Sequence, residues 1–265
     1  LFKSQYGSSL GIKEISCGSF HTFILTENND LFSCGDNNYG QLGLGNFFYD
    51  YNNKFQKVSE IQEMQGNIKE ISCGYNHTFI LMENNDLFSC GYNKYGQLGL
   101  GNFDDNNTFQ KVLQIQEMEG NIKQIKCGAY HNFILTDNND LFSCGNNEFG
   151  QLGLINNDNK NTFQKVSELE GINGNIKEIS CGNYHTFILI KNNDLFSCGN
   201  NDFGKLGLGH ITHQNKFQKL PQIEGIIGNI KQINCGATHN FIFTDNNEIF
   251  SSGHNNKGQL GLGNF

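Results

Sequence analysis

The sequence has 265 residues, a formal net charge of −8 and 37% apolar residues, 23 of its residues being Phe, which is enough to fill a sizeable core. No segment clusters Lys or Arg, so the electrostatic footprint of direct nucleic-acid binding is missing. No run approaches the ~18 consecutive apolar residues of a membrane-spanning helix.

The opening stretch LFKSQYGSSL lacks the charged-then-apolar layout of a signal peptide and an initiator Met, so the chain reads as a fragment. Nine Cys is an odd count with no secretion signal beside it; the expectation is a reduced protein of the cytoplasm, with the nucleus as the alternative.

From residue 12 the chain repeats itself. The segments IKEISCG (12–18), HTFILTEN (21–28), DLFSCG (30–35) and FQKV (55–58) each read as a strand. "FIL" is apolar on consecutive positions, as in a strand covered on both faces, and the intervening ENND suits a tight turn at Asn28 and Asn29. The pattern recurs with its first Cys at Cys17, Cys73, Cys127, Cys181 and Cys235, in steps of 56, 54, 54 and 54 residues. One such unit has too little core to stand alone, so neighbours must cover each other's faces. The expectation is all-β: a β-propeller of five four-stranded repeats, at about 1–47, 48–103, 104–157, 158–211 and 212–265 of a single repeat domain. Either Leu1 to Ser4 pairs with the last repeat and closes a five-bladed ring, or the chain is an arc of a larger one.

The recurring GQLGLG (40–45, 96–101, 258–263, with GQLGLI at 150–155 and GKLGLG at 204–209) lacks the Lys-Ser or Lys-Thr of a phosphate loop. Its glycines, including Gly43, Gly99, Gly153, Gly207 and Gly261, are expected to let the chain cross close to the next blade, with Leu42, Leu44 and their equivalents buried between blades. Cys17 and His21 lie four apart, a spacing repeated at His77, His131, His185 and His239, but extended chain would separate them by ~13 Å, and one half-site per blade makes a poor metal cage. A nucleophilic Cys-His pair would be unique rather than repeated. Each His is therefore expected to be buried near a turn and to bond backbone there, and each Cys to pack as a small apolar group; Ser252 stands where other repeats have Cys34, Cys90, Cys144 and Cys198. No enzyme activity, metal or cofactor is expected.

The repeat SCGxxHTFILxxNNDLFSCGxNxxGQLGLGN resembles that of the regulator of chromosome condensation family, and the resemblance covers essentially the whole chain. It implies a propeller, commonly seven-bladed, acting either as a guanine-nucleotide exchange factor for a Ran-like small GTPase or as an interaction module beside other domains, such as ubiquitin-ligase machinery. The family's exchange factor has an Asp before the repeat His in one blade and a wedge-like insertion. Here those positions are Phe20, Asn76, Tyr130, Tyr184 and Thr238, none of them acidic, and no insertion stands out.

In an up-and-down meander the first-to-second and third-to-fourth connections share one end of the propeller, so variable residues collect there. Besides the five residues before the His, the candidate partner-binding residues are Phe47, Phe48, Tyr49, Asp50 and Tyr51 of an aromatic insert, and Asp104 and Asp105. The aromatics before GQLG (Tyr39, Tyr95, Phe149, Phe203) are expected to pack. The reading is a non-catalytic protein-interaction module with a protein partner, no membrane and no direct nucleic acid, with nucleotide exchange as the alternative.

Overall fold

The computed structural model describes residues 10–59, 63–113, 115–167 and 174–263, without the side chains of 48–51; Leu1 to Ser4 lie outside the described residues. The strands are antiparallel and pair in sequence order. Blade 1 holds β1 (Ile12–Cys17), β2 (His21–Thr26), β3 (Leu31–Asn37) and β4 (Phe48–Lys57). Blade 2 holds β5 (Ile68–Cys73), β6 (His77–Met82), β7 (Leu87–Gly91) and β8 (Asn106–Lys111). Blade 3 holds β9 (Ile122–Cys127), β10 (His131–Thr136), β11 (Leu141–Gly145) and β12 (Lys160–Lys165). Blade 4 holds β13 (Ile176–Cys181), β14 (His185–Ile190), β15 (Leu195–Gly199) and β16 (Gln214–Lys219). Blade 5 shows β17 (Ile230–Cys235), β18 (His239–Thr244) and β19 (Ile249–Gly253). Each fourth strand begins earlier than FQKV suggests, and the aromatic insert, expected as an exposed loop, instead opens β4, with Phe48 opposite Asn37.

The core lies between blades rather than within them. Four apolar clusters each join two successive blades; the first combines Phe23, Leu25 and Leu31 with Ile71, Ile80 and Phe88 of the next sheet. Strands β6, β10 and β14 are buried at every position, which is why FIL does not alternate. At the ends of the array the same positions open to solvent. Ile15 is 57% exposed where Ile71, Ile125 and Ile179 are buried, and Ile249 is 67% exposed where Leu87 and Leu141 are buried. Successive first strands pack side by side, and the Cys-Gly pairs at their ends from all five blades line one open depression of about 320 Å³.

The second Asn of each turn, Asn29, Asn85, Asn139, Asn193 and Asn247, takes a positive φ between 64° and 77°, as the turn requires. That geometry also aims side chains across blades: Asn29 Oδ1 accepts from Ile68 N at 2.8 Å and Asn139 Oδ1 from Ile176 N at 2.7 Å.

Candidate partner-binding face

The repeat histidine locks blades together. Thr78 Oγ1 donates to the Gln41 carbonyl at 2.9 Å, so it accepts from His21 Nε2–H, also at 2.9 Å. Asn132 does the same work one blade on, its Nδ2 donating to the Gln97 carbonyl at 2.7 Å while its Oδ1 accepts from His77 Nε2–H at 2.7 Å. His131 bonds Thr186, and His185 bonds Asn240. The histidines therefore bond the neighbouring blade's side chains rather than local backbone, which the sequence reading expected; the nearby turn closes through Gly18 N donating to the His21 carbonyl. The ring needs the glycine before it, since a Cβ on Gly74 would sit 2.0 Å from His77 Cε1. With Nε2 protonated, the buried Nδ1 atoms of His21, His77, His131 and His185 are bare acceptors without a protein partner. Burial pushes these rings down to about 3 for His21 and His131 and about 4 for His77 and His185, so they are neutral and cannot shuttle protons near neutrality.

The cysteines packed between blades are equally unreactive. Burial pushes Cys73 and Cys235 up to about 12 and raises Cys90 and Cys198 well above the ordinary thiol value, so no thiolate nucleophile forms there. Cys90 Sγ points at the Gln41 carbonyl, and Ser252 Oγ makes the equivalent bond to the Lys205 carbonyl at 3.2 Å. Among the described residues no three His, Cys, Asp or Glu side chains converge as a metal site.

GQLGLG is an inter-blade clasp. Leu42, Leu98, Leu152 and Leu206 are fully buried, and Asn37 Oδ1 and its equivalents accept from the Leu backbone N–H. Gly96 has φ +79°, and a Cβ there would lie 2.4 Å from Asn161 Cα, a backbone atom of β12. Positive φ and the forced displacement of a neighbouring strand together cost about 3 kcal/mol, so Gly96→Ala should lower the urea midpoint accordingly. An unchanged midpoint would show that the blades can part there without loss.

The two variable connections share one end of the molecule. Asp36 N donates to the Phe20 carbonyl, and the rings of Tyr95 and Tyr130 meet at 5.4 Å. The candidate residues there differ in access. Phe20 is 58% and Phe47 47% exposed, Asp104 is exposed, and Tyr130, Tyr184 and Thr238 are half-buried. Asp105 is half-buried and accepts from Asn93 N at 2.8 Å, while Asn76 is buried against Gln41 and displays little to a partner. The side chains of Phe48, Tyr49, Asp50 and Tyr51 lie outside the described residues. Tyr39, Tyr95 and Phe149 are half-buried against other rings, whereas Phe203, expected to pack, is 62% exposed and stacks on His254 at 4.2 Å. Lys205, standing where other repeats have Gln, is buried and bonded to Asn200 Oδ1; desolvation lowers its pKa.

Comparison with known proteins places these features in a wider set. The model of the RCC1-like domain matches residues 52–265, and that of the regulator of chromosome condensation (RCC1) repeat matches residues 12–41. The human X-linked retinitis pigmentosa GTPase regulator is 35% identical over 94% of this chain and 28% of its own length. The human probable E3 ubiquitin-protein ligase HERC6 is 31% identical over 94% of this chain and 24% of its own length. The chain thus spans under a third of either protein. Yeast RCC1 (Prp20), in a crystal structure bound to Kap60, superposes with a TM-score of 0.82 at 21% identity, covering 97% of this chain and 59% of that one, a likeness of fold.

Proposed function

The chain belongs to the RCC1-like domain family, and from that premise we propose that it is a non-catalytic protein-interaction module whose contact surface is the end bearing the variable connections. One observation carries this reading. The histidines and second cysteines of successive blades are spent on inter-blade contacts, while the residues before each repeat histidine and around each GQLG, which change from blade to blade, gather at one end. Phe20 and Phe47 supply exposed aromatic anchors there, of the kind that dominate protein contacts. Changing Phe48, Tyr49 and Tyr51 together to Ala should weaken capture of a partner by about tenfold or more. Unaltered capture by a variant that keeps its fold would remove that segment from the surface.

Nucleotide exchange on a small GTPase is the second reading, favoured by the similarity to a protein named as a GTPase regulator. None of Phe20, Asn76, Tyr130, Tyr184 and Thr238 supplies the acidic residue that the exchange factor carries before its histidine. Nucleotide release from a panel of fluorescently loaded small GTPases should therefore stay at its spontaneous rate when the protein is added. Acceleration would favour exchange over the interaction reading.

A further inference from the structure

Six of the chain's nine tyrosines converge at the variable end around Tyr130. Tyr39 meets Tyr92 at 4.7 Å, Tyr92 meets Tyr95 at 6.0 Å, and both of the latter meet Tyr130, at 6.0 and 5.4 Å. Tyr75 and Tyr184 flank Tyr130 at 5.5 and 6.1 Å. All six are half-buried, so each ring is held by its neighbours and still presents surface to solvent. The scaffold does not demand this cluster. The rings come from four different positions of the repeat, and at Tyr92's position the other blades have Asp36, Asn146, Asn200 and His254.

The chemistry of the cluster is that of a cation acceptor. Aromatic faces are electron-rich, and a desolvated cation over one gains about 2 kcal/mol. Carboxylates stand beside the rings: Asp105 raises the pKa of Tyr92, after desolvation and other tyrosines, and Glu148 does so for Tyr184. Lys94, 3.9 Å from Asp105 and well exposed, is the one cation paired with a carboxylate of this patch among the described residues, and such exposed pairs are weak. The protein carries a net charge of −8 and contains no arginine of its own. Tyrosine hydroxyls can in addition accept from a guanidinium's N–H groups.

We propose that this tyrosine cluster binds an arginine-bearing segment of a protein partner, its guanidinium stacked on the rings of Tyr95 and Tyr130 and steered there by Asp105 and Glu148. The proposal rests on the interaction-module reading and names the chemistry of its ligand. The test uses a labelled dodecapeptide with four arginines spaced by Ser and Gly, its twin with citrulline at those positions, and a proline-rich peptide without cations. The chain has no Trp, so tyrosine emission reports the cluster directly alongside fluorescence anisotropy. The arginine peptide should bind and alter tyrosine emission, with the citrulline peptide weaker by about tenfold or more. Tyr95→Leu with Tyr130→Leu should weaken binding by a similar factor, whereas Tyr95→Phe with Tyr130→Phe, which keeps the ring faces, should stay within about threefold. Equal binding of arginine and citrulline peptides, or tighter binding of the proline-rich peptide, overturns the proposal. Unchanged binding by a folded leucine variant also overturns it, showing diffuse attraction to an acidic protein. If the leucine variant fails to fold, the peptide comparison on the unaltered protein decides. A partner captured equally by the folded leucine variant and the unaltered protein would sink this proposal and leave the interaction module standing.

Discussion

Shifting the protein from pH 7 to pH 5 is expected to remove about 7 kcal/mol of folding stability, through four histidines alone. His21, His77, His131 and His185 are pushed down to about 3 or 4 by burial, so the fold keeps them neutral throughout that range. The unfolded chain binds protons on the same rings below about pH 6.5, the ordinary histidine value. Between the two values the unfolded state holds more protons, so stability falls as pH falls, by about 1.4 kcal/mol per unit for each ring. Four rings acting together exhaust most of the stability of an ordinary domain. Glu14 and Glu178, raised first by burial, gain protons earlier in the fold than in the unfolded chain and oppose the trend as the pH falls further. Urea unfolding at the two pH values measures the difference directly. A midpoint unchanged at pH 5 would mean that the rings accept protons at Nδ1 within the fold, and that burial does not hold them neutral.

Replacing Asn132 by Ala should cost about 4 kcal/mol, and replacing it by Thr less than about 1 kcal/mol. Asn132 is fully buried and serves both His77 Nε2–H and the Gln97 carbonyl. Alanine strands a buried donor and a buried acceptor, each costing about 1–3 kcal/mol, and opens a small void besides. Threonine already plays the part in this molecule: Thr78 and Thr186 occupy the equivalent positions, accept from His21 and His131, and donate to the Gln41 and Gln151 carbonyls. Thermal or urea unfolding of the two variants checks the contrast. Equal losses for Ala and Thr would show that the network is specific to asparagine and that the repeat does not tolerate the exchange its own sequence makes.

The spacing of Cys17 and its successors, the unbroken FIL runs and the Asn-Asn-Asp turns made the blades legible before any coordinates. What spacing could not reveal was which blade satisfies which side chain. His77 finds Asn132 across 55 residues, a pairing set by the stacking of sheets and not by local sequence. The same limit hid the tyrosine cluster, because Tyr39, Tyr75, Tyr92 and Tyr130 stand at different repeat positions and meet only when neighbouring connections fold over one end. The insert from Phe47 to Tyr51 looked like a loop because five uneven polar and aromatic residues carry no strand period, yet pairing with β3 draws residues 48 to 51 into β4. Lys205 was legible as a departure from GQLG, but its burial was not.

Hydrogen exchange of the protein alone and in complex with a captured partner locates the contact. Exchange is expected to slow around Phe20, Tyr92 to Tyr95, Tyr130 and Tyr184, and to stay unchanged at the turns of Asn29, Asn85, Asn139 and Asn193. Protection confined to those asparagine turns would place the partner on the opposite end and contradict the proposed contact surface.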